Sequence, residues 1–183
     1  MRCCIRGCVI ELRDFAPSDV PSLISWIDGP EALVMWSGSS GFVWPLDESQ
    51  IRRYADKVGP KLRVWTAVDK TDPDRPIAHA SLMVDAPGWS ARLGRVVVAP
   101  DARGRGIGET LVRAAQRVAF DEIGVHRLSL GVFAQNVTAV RLYERLGFVR
   151  EGTLREVAAV GGTWWSSFEM AILDHEWRTR PGT

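Results

Sequence analysis

The chain has 183 residues, of which 46% are hydrophobic and 25% are charged, an ordinary balance for one globular domain with a sizeable core. Its formal net charge of +1 gives no broad electrostatic reason to bind nucleic acid or a membrane surface. No apolar run reaches the roughly 18 residues of a membrane-spanning helix. We therefore expect a cytoplasmic protein without nucleic-acid or membrane partners.

The three cysteines, Cys3, Cys4 and Cys8, all lie in the first eight residues. An odd number of cysteines in so short a stretch is a poor disulfide framework, and no histidine stands nearby to complete a zinc site. No long apolar segment follows, so the stretch does not resemble a signal peptide. We expect a flexible leader over residues 1–8, a single domain over 9–177, a tail over 178–183, and no metal.

Periodicity and turn residues divide the chain into elements. The predicted strands cover residues 9–15, 62–69, 77–84, 91–99, 127–133, 148–160 and 163–173. The predicted helices cover residues 17–27, 47–58, 107–123 and 136–146, while residues 31–44 follow neither period. Because a helix separates the strands at 91–99 and 127–133, these two should run parallel. The order predicts one mixed α/β domain without a repeat or linker.

A run of alternating glycines joins one of these strands to the longest helix. Val96-Val97-Val98 is typical of a buried strand, and Pro100 stops the sheet ladder. Residues 103–108 then read RGRGIG and lead at once into a helix. The first N–H groups of a helix have no internal partner and lie at the positive end of its dipole, and glycine allows close approach. The run therefore predicts a site for a phosphate compound.

Two common phosphate loops do not fit this run. A Walker-type loop needs Lys-Ser or Lys-Thr after its last glycine, whereas Gly108 is followed by Glu109-Thr110. The dinucleotide fingerprint has a different glycine spacing and follows the first strand of its fold, whereas here three strands precede the strand that leads into the loop. A flexible connector would explain the glycines, but neither the two arginines nor the helix.

Residues 103–108 resemble the R/Q-x-x-G-x-G/A acyl-coenzyme A signature of the GNAT N-acetyltransferase superfamily. A second block, from Asn136 through Tyr143 to Leu146-Gly147-Phe148, resembles the second conserved block of that superfamily. The two motifs stand in the right order, one strand apart. Residues 26–44 are more loosely similar to ribosomal-protein N-terminal acetylases and aminoglycoside 6'-N-acetyltransferases.

The resemblance implies the GNAT-type acyl-CoA N-acyltransferase fold. This is a mixed, mostly antiparallel sheet of seven strands flanked by about four helices, with a V-shaped splay between the fourth and fifth strands. A β-bulge near Val97 and Val98 would open the splay for the pantetheine arm, which would hydrogen-bond along the exposed strand edge.

The resemblance also implies acetyl-CoA as the acyl donor. Backbone N–H groups of residues 105–108 would cradle the pyrophosphate, and the side chains of Arg103 and Arg105 would add charge. Asn136 would hold the pantetheine, cap its helix, or do both. The residues assigned to acetyl-CoA binding are Val96, Val97, Val98, Arg103, Gly104, Arg105, Gly106, Ile107, Gly108, Asn136 and Tyr143.

The implied reaction is direct attack of a primary amine on the acetyl thioester in a ternary complex. The N–H of Val98 would donate to the thioester carbonyl, and Tyr143 would protonate the leaving thiolate unless it only packs in the core. An alkyl amine with a pKa near 10.4 must also lose a proton. Candidate bases are Glu48, Asp85 and Glu169. None is favoured, because the strand before the glycine loop lacks the carboxylate that many family members carry there.

The expected acceptor is a small-molecule amine, an antibiotic or a peptide N-terminus. The first two helices and the last hairpin would wall its site. They carry five tryptophans that either belong to the core or line an apolar wall: Trp26, Trp36, Trp44, Trp164 and Trp165. An aminoglycoside would need an acidic groove, for which Asp28, Glu31, Asp47 and Glu48 are candidates, although helix-end roles explain them equally well.

Two other functions remain open. One is a non-catalytic acyl-CoA-binding or interaction module on the same fold, and the other is transfer of a different acyl group or to an oxygen acceptor. Dimers are common in families of this kind, so a homodimer is also among the expectations.

Overall fold

Seven strands form one sheet in this computed structural model, which describes residues 10–39, 41–85 and 89–180. The strands are β1 (Ile10–Asp14), β2 (Leu62–Asp69), β3 (Asp72–Val84), β4 (Ser90–Val98), β5 (Arg127–Phe133), β6 (Val149–Val160) and β7 (Thr163–Leu173). Their order across the sheet is β1-β2-β3-β4-β5-β7-β6. The predicted leader with its cysteines, and residues 86–88 of the turn before β4, lie outside the described residues.

Every neighbouring pair of strands is antiparallel except β4 and β5, which run parallel as predicted from the helix between them. Their pairing ends at Leu93 and Leu130, although β4 continues to Val98 and β5 to Phe133. The two strands therefore diverge over their carboxyl-terminal halves. The predicted fold class, including the splay between the fourth and fifth strands, is confirmed.

The bulge that accompanies the splay lies earlier in β4 than predicted. Ser81 of β3 pairs with Gly94, and His79 pairs with Val97, so the one residue of β3 between these pairs faces two of β4. The extra residue falls at Arg95 and Val96 rather than near Val97 and Val98. Arg95 has a φ of +52°, a left-handed conformation in which the strand changes direction.

Six α-helices surround the sheet in the described part of the chain, two more than predicted. They are α1 (Val20–Ser25), α2 (Pro30–Ser37), α3 (Glu48–Ala55), α4 (Ile107–Arg117), α5 (Val137–Arg145) and α6 (Asp174–Arg178). A π-helical segment, Val118–Ile123, continues α4 until Gly124 at φ +74°. Within the described ranges, no helix has the length and the apolar character needed to cross a membrane.

The two unpredicted helices have simple causes. Pro30 ends the preceding turn and also begins α2, because its missing N–H costs nothing in a first helical turn. The short α6 takes in Arg178, where a frayed tail was expected to begin. Beyond it, the guanidinium of Arg180 donates to the carbonyl of Arg145 at 2.8 Å.

The sheet has two covered faces near the splay. Ala78 pairs with Val98, and His79 pairs with Val97, so Val98 and His79 point to opposite faces. The face of Val98 is covered by α4, and we call it the α4 face. The face of His79 is covered by Trp36 of α2 and Tyr54 of α3, and we call it the α2 face. The splay opens between these two layers.

Helix α4 is anchored by the apolar stripe that its sequence predicts. Ile107, Leu111, Ala115, Val118 and Ala119 are all buried. Burying a leucine or isoleucine side chain is worth about 1.5–3 kcal/mol. A buried hydrogen bond of 2.9 Å from Gln116 to the carbonyl of Leu146 ties the helix to the end of α5. The first turn of α4 is therefore held firmly beside the splay.

Candidate active site

The glycine run forms a tight loop at the start of α4. A short 3-10 turn, Pro100–Ala102, leads into Gly104 and Gly106, each with a φ of +76°. Such a φ favours glycine strongly over residues with a Cβ. In the part of the chain that the structure describes, no backbone N–H of residues 105–108 donates a hydrogen bond to the protein. The loop thus presents unpaired donors at a helix N-terminus, the arrangement that binds phosphate.

The two arginines of the loop have contacts of their own. The Nε of Arg103 donates to the carbonyl of Val98 at 3.2 Å. A guanidinium nitrogen of Arg105 lies 3.5 Å from a carboxylate oxygen of Asp69. Hydrogen bonds from Thr71, more than the charge of Arg105, hold the pKa of Asp69 below its usual value. Both guanidinium groups remain largely exposed beside the unpaired N–H groups.

The end of β4 directs one backbone donor into the splay. The N–H of Ala99 donates to the carbonyl of Ile77, on the side of β3, at 2.8 Å. Successive N–H groups of a strand point to opposite edges, so the N–H of Val98 points away from β3 and towards the splay. The N–H of Val97 points towards β3 instead. The N–H of Val98 is therefore open to the splay, whereas the N–H of Val97 is not.

The second motif meets the first at the splay. A Cβ built on Gly108 would lie 3.6 Å from the Leu142 side chain and 3.7 Å from that of Val98, so α4, α5 and β4 converge there. The Oδ1 of Asn136 accepts a hydrogen bond from the N–H of Ala139 at 3.2 Å, which caps α5. The capping role expected for Asn136 is thus present in the structure.

Tyr143 is both packed and available as a donor. Its ring is buried and meets Phe148 edge to face, with ring centroids 5.8 Å apart. Burial raises the pKa of its hydroxyl to about 12. Within the described residues that hydroxyl makes no hydrogen bond. Tyr143 therefore packs in the core, and its hydroxyl proton has no acceptor among the described residues.

The three candidate bases lie in different settings. Asp85 stands at the opposite end of β4 from the splay and accepts a hydrogen bond from Ser90. Glu48 forms a surface ion pair with Arg52, four residues along α3. Only Glu169 borders the splay, opposite Gly131, and its carboxylate is engaged by Arg92 at 2.7 and 2.9 Å.

The expected wall of tryptophans is divided between core and surface. Trp26 and Trp36 are buried, whereas Trp44 and Trp164 are 46% and 65% exposed. Trp165 meets Phe133 edge to face in a small cluster that Val34 and Met35 of α2 cover. Helix α2 therefore spans the α2 face from the bulge of β4 to the β6–β7 hairpin.

Two of the four acids suggested for an acidic groove have local partners at the start of α3. Asp47 caps α3 by accepting from the N–H of Gln50 at 2.9 Å, and Glu48 pairs with Arg52. These are the helix-end roles that explain the two acids equally well from sequence alone. Among the described residues, no group of histidine, cysteine, aspartate and glutamate side chains is arranged to hold a metal ion.

Sequence reasoning missed one arginine, Arg95, which lies among aromatic rings on the α2 face. The carbonyl of Arg95, at the bulge, accepts from Trp36 Nε1 at 2.9 Å. Its guanidinium lies 4.7 Å from the ring centroid of Tyr54 and 5.5 Å from that of Phe42. The one sequence signal was a charged residue between Gly94 and a valine run that predicts a buried strand.

A buried imidazole stands behind this arginine. The hydroxyl of Tyr54 is 3.2 Å from Nε2 of His79, which is 1% exposed. Burial, and then the nearby charge of Arg95, lower the pKa of His79 to about 3. The ring is therefore neutral at physiological pH, and burial likewise raises the pKa of Tyr54 to about 12.

Comparison with known proteins gives one family. The model of the acetyltransferase (GNAT) family matches residues 30–148. Spermidine N(1)-acetyltransferase of Vibrio cholerae is 34% identical over 86 residues, which are 47% of this chain and 50% of the relative. Phosphinothricin N-acetyltransferase of Streptomyces coelicolor is 38% identical over 86 residues, 47% of this chain and 45% of the relative. These matches thus span about half the length of the curated relatives.

Solved structures show the same fold over nearly the whole chain. Spermidine N-acetyltransferase from Vibrio cholerae, in complex with CoA and spermine, superimposes with a TM-score of 0.81 at 22% identity, covering 93% of this chain and 99% of that chain. A dodecameric structure of spermidine N-acetyltransferase from the same organism gives a TM-score of 0.74 at 22% identity, covering 94% of this chain and 98% of that chain. At this level of identity, the likeness is one of fold.

Proposed function

Because this chain belongs to the acetyltransferase (GNAT) family, we propose that it transfers the acetyl group of acetyl-CoA to a primary amine of a small molecule. The observation that carries the proposal is the convergence of α4, α5 and β4 around Gly108 beside the splay. This convergence brings the unpaired N–H groups of residues 105–108 close to Val98 and to the helix that carries Tyr143.

The residues at the splay fit the donor. Four unpaired N–H groups and the exposed cations of Arg103 and Arg105 suit a pyrophosphate, since hydrogen bonds to a charged acceptor are worth about 1.5–3 kcal/mol each. The open edge of β4 at Val96 and Val98 suits the amides of a pantetheine arm, which would lie along it like an added strand. When bound, acetyl-CoA supplies the acetyl thioester.

Val98 acts on the carbonyl oxygen of the acetyl thioester, and Tyr143 acts on its sulfur. The N–H of Val98 donates to the thioester carbonyl, where negative charge develops as the amine attacks. The Tyr143 hydroxyl, with a pKa of about 12, stays protonated at neutral pH and donates to the departing sulfur. A thiol has a pKa near 8.5, so full proton transfer from this phenol is uphill. Its main effect is a hydrogen bond to developing negative charge.

The amine reaches the carbonyl from the α2 face. Helices α4 and α5 close the other side of the splay around Gly108 and Leu142. On the α2 face, α2 and the β6–β7 hairpin bound the approach. The curated relatives named above carry out acetylation of small molecules according to their names, which supports a small-molecule acceptor here.

The substitution Tyr143→Phe tests the role of the hydroxyl. It removes one oxygen from a ring that stays packed on Phe148, so folding and donor binding should persist. We expect turnover to fall by about tenfold or more, measured by release of free CoA thiol, with the Kd for acetyl-CoA near wild type by calorimetric titration. Unchanged turnover would remove Tyr143 from the mechanism.

A further inference from the structure

Arg95 occupies a position on the α2 face that its backbone geometry maintains. It stands at the bulge where β4 leaves β5, two residues after the last paired residue, Leu93. Its φ of +52° is unfavourable for a side chain with a Cβ. The hydrogen bond from Trp36 Nε1 to its carbonyl, at 2.9 Å, holds this conformation. The guanidinium is thereby directed onto the rings of Tyr54 and Phe42.

The charge of Arg95 has no anion to balance it in the described chain. Its Nε is buried without a hydrogen bond, and within residues 10–39, 41–85 and 89–180 no carboxylate forms an ion pair with it. On the same strand, Arg92 is held in a bidentate pair by Glu169. Burying part of a cation costs free energy unless an anion pairs with it. The planar guanidinium has the geometry to bind a carboxylate through two hydrogen bonds. The arginine is therefore preorganised for an anionic ligand.

This cation lies beside the expected path of the amine. Arg95 precedes Val98 by three residues, about 10 Å of strand, so one small molecule can reach both. The acetyl donor is held by the loop and helices of the α4 face, whereas Arg95 faces the α2 face. An anion bound to Arg95 thus belongs to the acceptor rather than to the donor.

We propose that Arg95 binds an acidic group of the acceptor, so that the substrate is an amine that also carries a carboxylate. The inference rests on the proposed acetyltransferase activity and specifies its acceptor. A polyamine would bring positive charge to an arginine that no described acid neutralises. The same cation disfavours the ammonium form of a nearby amine and so raises the fraction that can attack.

Matched acceptors test the proposal. Phenylalanine, phenylalanine amide and phenethylamine share one side chain, but only the first carries a free carboxylate. The same three forms of leucine and of glutamate extend the set, and spermidine represents a polycation without a carboxylate. We expect kcat/KM from thiol release to be about tenfold or more higher for the carboxylates than for their matched amines, mainly through KM. Arg95→Gln should abolish that preference, and Arg95→Lys should retain part of it.

Arg127→Gln is the control, because this arginine pairs with Glu151 at the far end of β5. It should keep the wild-type preference. Equal use of carboxylates and amines by the wild type, better use of spermidine, or an equal loss on all acceptors in Arg95→Gln would overturn the proposal. Thiol release from no acceptor, with acetyl-CoA still bound, would instead refute the proposed function. Calorimetric binding of the acceptors in the presence of CoA gives a second readout that needs no turnover.

Discussion

The neutral imidazole of His79 makes folding sensitive to acid. Its pKa is about 3 in the folded chain because of burial and the charge of Arg95, compared with about 6.5 for an unperturbed histidine. Between about pH 3 and 6.5 the histidine binds a proton in the unfolded chain but not in the folded chain. The stabilisation from this group is complete above about pH 6.5 and is lost as the pH falls towards 3.

The substitution His79→Gln should therefore flatten the acid limb of the stability curve. We expect the free energy of unfolding, from denaturant titrations between pH 7 and 4, to fall less steeply with pH in this variant than in the wild type. His175→Gln, at an exposed site on α6, is the control. Equal slopes in His79→Gln and the wild type would contradict a neutral buried ring.

Other groups contribute to the acid limb in all three proteins, so only the difference in slope is informative. Burial acts to raise the pKa of Asp19, but hydrogen bonds from Arg13, Ala16 and Thr66 lower it overall. Such carboxylates also lose stabilisation as the pH falls through their lowered pKa.

Single residues show where sequence reasoning works and where it stops. Asn136 and Asp47 cap their helices as capping chemistry predicts, because a cap depends only on local sequence. Arg95 was missed because its setting depends on a positive φ and on two rings distant in sequence, Tyr54 of α3 and Phe42 of the loop before it. Nothing in a one-dimensional pattern brings Trp36, Phe42 and Tyr54 to one bulge.

The glycine loop is the element on which the donor site depends. Gly106 has a φ of +76°, and the space that a Cβ would occupy there is open. A valine at this position adds backbone strain and places two methyl groups where the pyrophosphate would lie. We expect Gly106→Val to weaken acetyl-CoA binding by about tenfold or more, measured by calorimetric titration.

Gly124 supplies a matched control for that experiment. It has a φ of +74°, the same open surroundings, and a place at the far end of the helix that starts at Gly106. Gly124→Val should show a comparable loss of thermal stability with acetyl-CoA affinity near wild type. Equal affinity losses in the two variants would mean that strain, not obstruction of the ligand, weakens binding.

Elements with strong periodicity were predicted well, and short ones were not. The bounds of β2, β5 and β7 match the prediction, because alternation and turn residues mark both ends. Helix α2 was missed because its eight residues, Pro30–Ser37, are apolar on several sides as they bridge β4 and the last hairpin. The bulge lies at Arg95 and Val96 because tertiary packing, not local sequence, selects the site.

For the whole molecule, the order of the two motifs along the chain predicted the correct fold. The family resemblance of the two motifs implied a mostly antiparallel sheet of seven strands with a splay between the fourth and fifth, and the structure confirms it. Membership of the GNAT family, whose acyl donor is acetyl-CoA, is confirmed as well. The acceptor did not follow from the motifs, because they describe the α4 face, whereas we propose that the acceptor approaches from the α2 face.

Acceptor-dependent release of CoA thiol by the full chain is the most direct test of whether it is an acetyltransferase. Acetyl-CoA is supplied together with a panel of amines, amino acids, antibiotics and peptides, and each product is identified by mass spectrometry. We expect thiol release that is proportional to enzyme concentration and requires one class of primary amine, with one acetyl group added to that amine. Tight binding of acetyl-CoA at the glycine loop with no release above the uncatalysed rate for any acceptor would contradict it and indicate a non-catalytic binding module.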